Sequence, residues 1–74
     1  MKNFPAIIGR NVSSARRRRG MSQKTLETLT GISQDQISRI ESGERIPSVR
    51  QLVAISAALQ CSPSVLLKYR RRPS

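Results

Sequence analysis

The sequence predicts an all-α fold of five short helices, and three observations predict it. Serines stand ahead of apolar segments at Ser22, Ser33, Ser48 and Ser62, and glycines close earlier segments at Gly20, Gly31 and Gly43. Within each segment the aliphatic residues recur three or four positions apart, which places them on one face of a helix. No segment alternates apolar and polar residues over the length of a strand, and no internal repeat is visible.

The first helix opens around Pro5, whose fixed φ suits a first turn, with Asn3 or Phe4 as cap. Ile8, Val12 and Ala15 form its inward stripe, with Ile7 beside them, and Gly9 is expected only to weaken it slightly. Gly20 is placed to end it in a left-handed conformation. Ser22 caps a second, short helix that carries Leu26 and Leu29 and stops at Gly31. Ser33-Gln34-Asp35-Gln36 then has capping-box spacing, so the Gln36 amide is expected to reach back to the cap. The third helix turns Ile37 and Ile40 inward and ends at Gly43. Ser48, behind Pro47, opens the fourth, with Gln51 in the capping-box position and Val49, Leu52, Val53, Ile55 and Leu59 as its apolar face. Ser62-Pro63 starts a fifth with Val65, Leu66 and Leu67. Residues 1–74 are read as one domain with its core in 5–69, and the closing basic stretch 70–74 is expected to fray.

Composition narrows the function classes. A chain of 74 residues buries only about 60% of its unfolded surface, so its core is limited. With Phe4 and Tyr69 as the only aromatics, that core has to be aliphatic. The net charge is +10, and residues 1–24 hold seven basic groups without an acid. Such an excess favours a polyanionic partner without distinguishing DNA from RNA or anionic lipid. Cys61, the single cysteine, has no partner for a disulfide, and with no histidine there is no metal-ligand spacing. It reads as a small buried apolar side chain. No catalytic dyad is evident among Glu27, Asp35, Glu41 and Glu44, so no enzymatic activity and no cofactor are expected. No small-molecule ligand is evident either. No stretch approaches the roughly 18 apolar residues of a membrane span, which makes a soluble, cytoplasmic protein the expectation.

The connection Thr30-Gly31-Ile32-Ser33 is short enough to force the second and third helices to cross steeply, as in a helix-turn-helix unit. Ile32, Ile37 and Ile40 then face the first helix, and Gln34, Asp35, Ser38 and Arg39 are left on the opposite, polar face. Side chains of that kind can reach base edges in a major groove about 12 Å wide.

Residues 8–67 resemble the lambda-repressor/Cro-type helix-turn-helix family, often called the XRE family. The resemblance rests on Met21-Ser22-Gln23, Leu26, Gly31-Ile32-Ser33, Ile37 to Gly43, Pro47-Ser48 and Leu52 to Leu59, in order and in register. One position departs from the pattern: Glu27 stands where a small residue is usual, so its carboxylate has to lean outward or find a cation.

The resemblance implies double-stranded DNA as partner, a homodimer, and contact of Gln23 with the DNA backbone. Gln34 is the leading base reader, since glutamine pairs bidentately with adenine. Asp35 either stabilises the helix N-terminus or accepts from cytosine. Arg39 can read guanine, grip a phosphate or pair with Asp35, and Ser38 can meet base or phosphate. Arg10, Lys24 and Arg45 are further phosphate candidates. In the family an arginine at the position of Arg16 pairs with a glutamate near the end of the third helix, here Glu41; this implies a structural ion pair. Arg17 and Arg18 then remain in solvent, because four successive helix residues cannot share a face. Val65, Leu66, Leu67 and Tyr69 are assigned to the dimer seam, one or two of them doubling as core. The resemblance implies a repressor or a restriction–modification controller acting on a palindromic operator. The competing reading is an antitoxin-like or co-regulator module whose main partner is another protein.

Overall fold

A computed structural model describes residues 3–69; the basic stretch expected to fray lies outside the described residues. The five expected helices are present: α1 (Phe4–Arg18), α2 (Gln23–Thr30), α3 (Gln34–Ser42), α4 (Val49–Ala58) and α5 (Pro63–Leu67). No strand occurs among the described residues. Helix α1 lies across α3 and α5, while α2 packs on α3 and α4, and α5 closes onto α4. The space between them is filled by Ile8, Val12, Leu26, Ile37, Ile40, Ile55, Leu59 and Leu66, all essentially inaccessible to water. Each such aliphatic side chain contributes about 1.5–3 kcal/mol through removal from water.

The caps explain the boundaries. The hydroxyls of Ser22, Ser33 and Ser48 accept the backbone N–H of Thr25, Gln36 and Gln51, satisfying donors that a helix start leaves free. At Ser48 the box is complete, since the Gln51 Oε1 accepts the Ser48 N–H at 3.0 Å. At Ser33 it is not. The Gln36 Oε1 instead accepts from the Gln51 Nε2 at 3.0 Å, tying α3 to α4, so the expected back-bonding by Gln36 is corrected. Gly31 ends α2 at φ 76°, a left-handed conformation that an L side chain resists, and its N–H donates to the Glu27 carbonyl. That residue makes the abrupt turn into α3 possible.

Gly9 has a different role from the one its helix propensity suggests. It sits where α1 meets α3, and a Cβ at this position would collide with the Ile40 carbonyl oxygen and lie 2.6 Å from that of Glu41. Only glycine lets the two backbones approach so closely. Helix α4 is also turned from the expected orientation. Leu52, Ile55 and Leu59 face inward, but Val49 and Val53 are 80% and 51% exposed. Leu29 on α2 is exposed as well, leaving Leu26 as that helix's core residue. Cys61 is half-buried against the core, not fully enclosed.

Candidate nucleic-acid interface

The second and third helices are joined through Gly31, Ile32 and Ser33, and α3 turns a polar side outward. Ile37 and Ile40 anchor α3 with no exposed area, which leaves Gln34, Asp35, Ser38 and Arg39 all exposed on its outer side. The Arg39 Nε donates to the Asp35 Oδ2 at 3.1 Å one turn back. Both groups are open to water, and exposed pairs of this kind contribute only about 0.3–0.5 kcal/mol, so a base or phosphate can draw either partner away. Asp35 also lies in the first turn, where its charge suits the helix dipole.

Behind this surface stands the ion pair that the family resemblance implied. The Arg16 Nε and Nη2 donate to the Glu41 Oε2 and Oε1 at 2.7 and 3.0 Å, a bidentate arrangement. The third arm of the guanidinium, Nη1, donates to the Met21 carbonyl at 2.7 Å, fixing the chain between α1 and α2. Hydrogen bonding to Glu41 raises the Arg16 pKa, against the opposing effect of burial. The Gln23 Nε2 completes the set by donating to the Glu41 Oε1 at 3.1 Å. Gln23 is thereby held at the start of α2, half-buried, with its amide already engaged by the ion pair.

The unusual Glu27 finds both a cation and a helix end. Its Oε1 meets the Lys24 Nζ at 3.1 Å and its Oε2 accepts the Gln34 N–H at 3.1 Å. These two contacts, the lysine first, hold its carboxyl below the usual range. Lys24, expected on the DNA backbone, is therefore paired within its own helix. In the loop after α3, the N–H groups of Glu44 and Arg45 both donate to the Arg39 carbonyl, so Arg45 offers its exposed side chain and not its backbone N–H.

Arg10 is exposed on α1. It lines an open groove with Ser13, Arg17, Glu41 and Ser42, so α1 adds cations beside the end of α3. Arg17 and Arg18 are exposed, as expected. Two further contacts carry no local sequence signal. The Arg19 Nε donates to the Leu59 carbonyl at 2.6 Å, and the Asn11 Nδ2 donates to the Leu66 and Lys68 carbonyls at 2.8 Å each. Each side chain ties α1 to the end of a distant helix. Leu66 itself is wholly buried, so among the four seam candidates it is the one that serves as core, and its side chain is not available to a seam. Val65, Leu67 and Tyr69 stay exposed, Tyr69 by 60%. No group of residues suited to hold a metal ion occurs among the described residues, and no described helix is long and apolar enough to cross a membrane.

A helix-turn-helix family model matches residues 12–66. Over 62 residues, 84% of the chain, the sequence is 37% identical to Repressor protein C2 of Salmonella phage P22, and it spans 29% of that protein. It is 34% identical over 64 residues to an HTH-type transcriptional regulator of Haemophilus influenzae, covering 86% of this chain and 65% of the relative. The chain thus spans less than two thirds of both these curated relatives. Among solved structures, the restriction-modification controller protein C.AhdI from Aeromonas hydrophila matches with a TM-score of 0.81 at 27% identity, covering 84% of this chain and 94% of that one. The P22 c2 repressor protein in complex with a synthetic operator matches at 0.78 and 38% identity, covering 82% and 92%.

Proposed function

This chain belongs to the helix-turn-helix family of DNA-binding transcription regulators, which are not enzymes, and from that premise we propose that it binds an operator in duplex DNA through the outer face of α3. The observation that carries the proposal is the division of α3 into a fully buried pair, Ile37 and Ile40, and an exposed polar face behind a left-handed turn. Gln34, Ser38 and Arg39 read base edges, with Asp35 released from Arg39 or left as a helix-end charge. Arg10 and Arg45 grip phosphates, as does Gln23 through the second hydrogen of its Nε2, the first being held by Glu41; each phosphate charge neutralised steepens the salt dependence by about 0.9.

A single module of this size touches too little DNA for high selectivity. Two copies related by a two-fold axis place their α3 helices about 34 Å apart, matching one turn of a palindromic site. The exposed Val65, Leu67 and Tyr69 support a seam at α5. The regulator is then of repressor or controller type, with occupancy set by its own concentration. Selection of bound sequences from a random duplex library tests the proposal by returning half-sites and their spacing. Joint replacement of Gln34, Ser38 and Arg39 by alanine, in a chain still helical by circular dichroism, should abolish selection. An unchanged footprint would refute the reading.

The exposed Val49 and Val53 support a second reading, in which the chain also docks another protein as an antitoxin or co-regulator does. Recovery of one stoichiometric partner from the native operon context supports that reading, and recovery of the chain alone counts against it.

A further inference from the structure

Glu27 stands on α2 opposite the start of α3, and its carboxylate acts on two residues of the proposed DNA surface at once. The backbone N–H of Gln34 is the first donor of α3, one of those a helix start leaves free, and Glu27 fills it at 3.1 Å. The cap proper, Ser33, serves a different donor, the N–H of Gln36. The first residue of α3, whose side chain is the leading base reader, is therefore held by a side chain from the preceding helix. The second contact is one of charge. The Lys24 Nζ lies 3.1 Å from the same carboxylate, far inside the screening length of about 8–10 Å at ordinary ionic strength, so the two together are neutral to a passing phosphate. The other described acids are engaged elsewhere: Asp35 with Arg39, Glu41 with Arg16, and Glu44 with the Ser42 hydroxyl.

We propose that Glu27 is a positioning residue for sequence reading: it fixes Gln34 against α2 and cancels the charge of Lys24, raising selectivity while lowering sequence-independent affinity. This rests on the DNA-binding reading above. A side chain too short to reach either partner gives up both effects together, whereas glutamine separates them by keeping an acceptor without the charge.

The test measures binding of the purified chain to its selected duplex and to random duplex over a range of salt. Glu27→Gln should steepen the slope of log K against log salt by about 0.9 and leave the preference for the selected duplex intact. Glu27→Ala should steepen it equally and reduce that preference at least fivefold, the lower end for a lost base contact of roughly 1–3 kcal/mol. The double variant Lys24→Gln/Glu27→Gln, neutral at both positions, should return the slope to its native value. Equal preference in the glutamine and alanine variants overturns the positioning role, and an unchanged slope in Glu27→Gln overturns the charge role. If the native chain itself shows no preference between duplexes, the DNA reading has failed, and this is seen before any variant is compared.

Discussion

Replacing Gly9 by alanine probes the close approach of α1 to α3. The added Cβ would meet backbone atoms and not flexible side chains: the carbonyl oxygen of Ile40, and the oxygen and carbon of Glu41 at 2.6 and 2.9 Å. Ordinary contact begins near 3.4 Å, so α1 and α3 have to separate by about 1 Å or distort. Overpacking of this sort costs about 1–3 kcal/mol, and three contacts with rigid backbone place Gly9 toward the upper end. Alanine returns about 0.8–1.0 kcal/mol through its higher helix propensity. The net expectation is a loss of about 1–2 kcal/mol. A domain of this size changes its Tm by roughly 4–8 °C per kcal/mol, so the midpoint should fall by roughly 4–16 °C. Thermal denaturation followed by far-ultraviolet circular dichroism measures it directly. A midpoint that stays level or rises would show that propensity outweighs the contact and that α1 and α3 are not held this close.

Glu41→Ala should cost about 3–5 kcal/mol, because it leaves the Arg16 guanidinium buried and without its acid; Glu44→Ala, on the surface, should stay within about 0.5 kcal/mol. Equal effects in urea titration would refute the pairing. Gln60 follows α4 at φ 55°, a left-handed conformation that costs a non-glycine residue about 1–2 kcal/mol, and Gln60→Gly should raise stability by up to about 1 kcal/mol once chain entropy is counted; a lower Tm would count against that strain. Acidification bears on Glu27. Because its folded pKa lies below the ordinary value near 4.3, its contribution is complete above that value and disappears as pH falls through the lower one. The native chain should therefore lose more stability than Glu27→Gln as pH falls through and below the ordinary carboxyl value, and parallel curves would argue against the two contacts.

What was legible in the sequence was local. Caps and stops at Ser22, Gly31, Ser33, Gly43 and Ser48 work within three or four residues, so their spacing alone places the helix ends. Ile37 and Ile40 are each flanked by polar residues, so the phase of that stripe was unambiguous. Helix α4 offered no such guide. Val49, Leu52, Val53, Ala54, Ile55, Ala57 and Ala58 surround it with apolar groups, and only packing against α2 and α5 selects which of them face inward. The contacts missed were those between elements distant in sequence. Asn11 reaches Leu66 and Lys68 across more than fifty residues, Arg19 reaches Leu59 across forty, and Gly9 matters because of a backbone that lies beside it only after folding. Arg16 with Glu41 is the exception, foreseen through the family resemblance and not from spacing.

The fifth helix has five residues, and only Leu66 among them enters the core, while a single amide from Asn11 secures its far end. The same short piece carries Val65 and Leu67 on its outside, with Tyr69 just beyond. A second molecule clasping that exterior therefore also bolts down the last panel of the first. If two copies pair through α5 as proposed, self-association and folding become one equilibrium governed by mass action, and the melting point should climb as the protein is made more concentrated. A midpoint indifferent to dilution would mean the panel closes unaided.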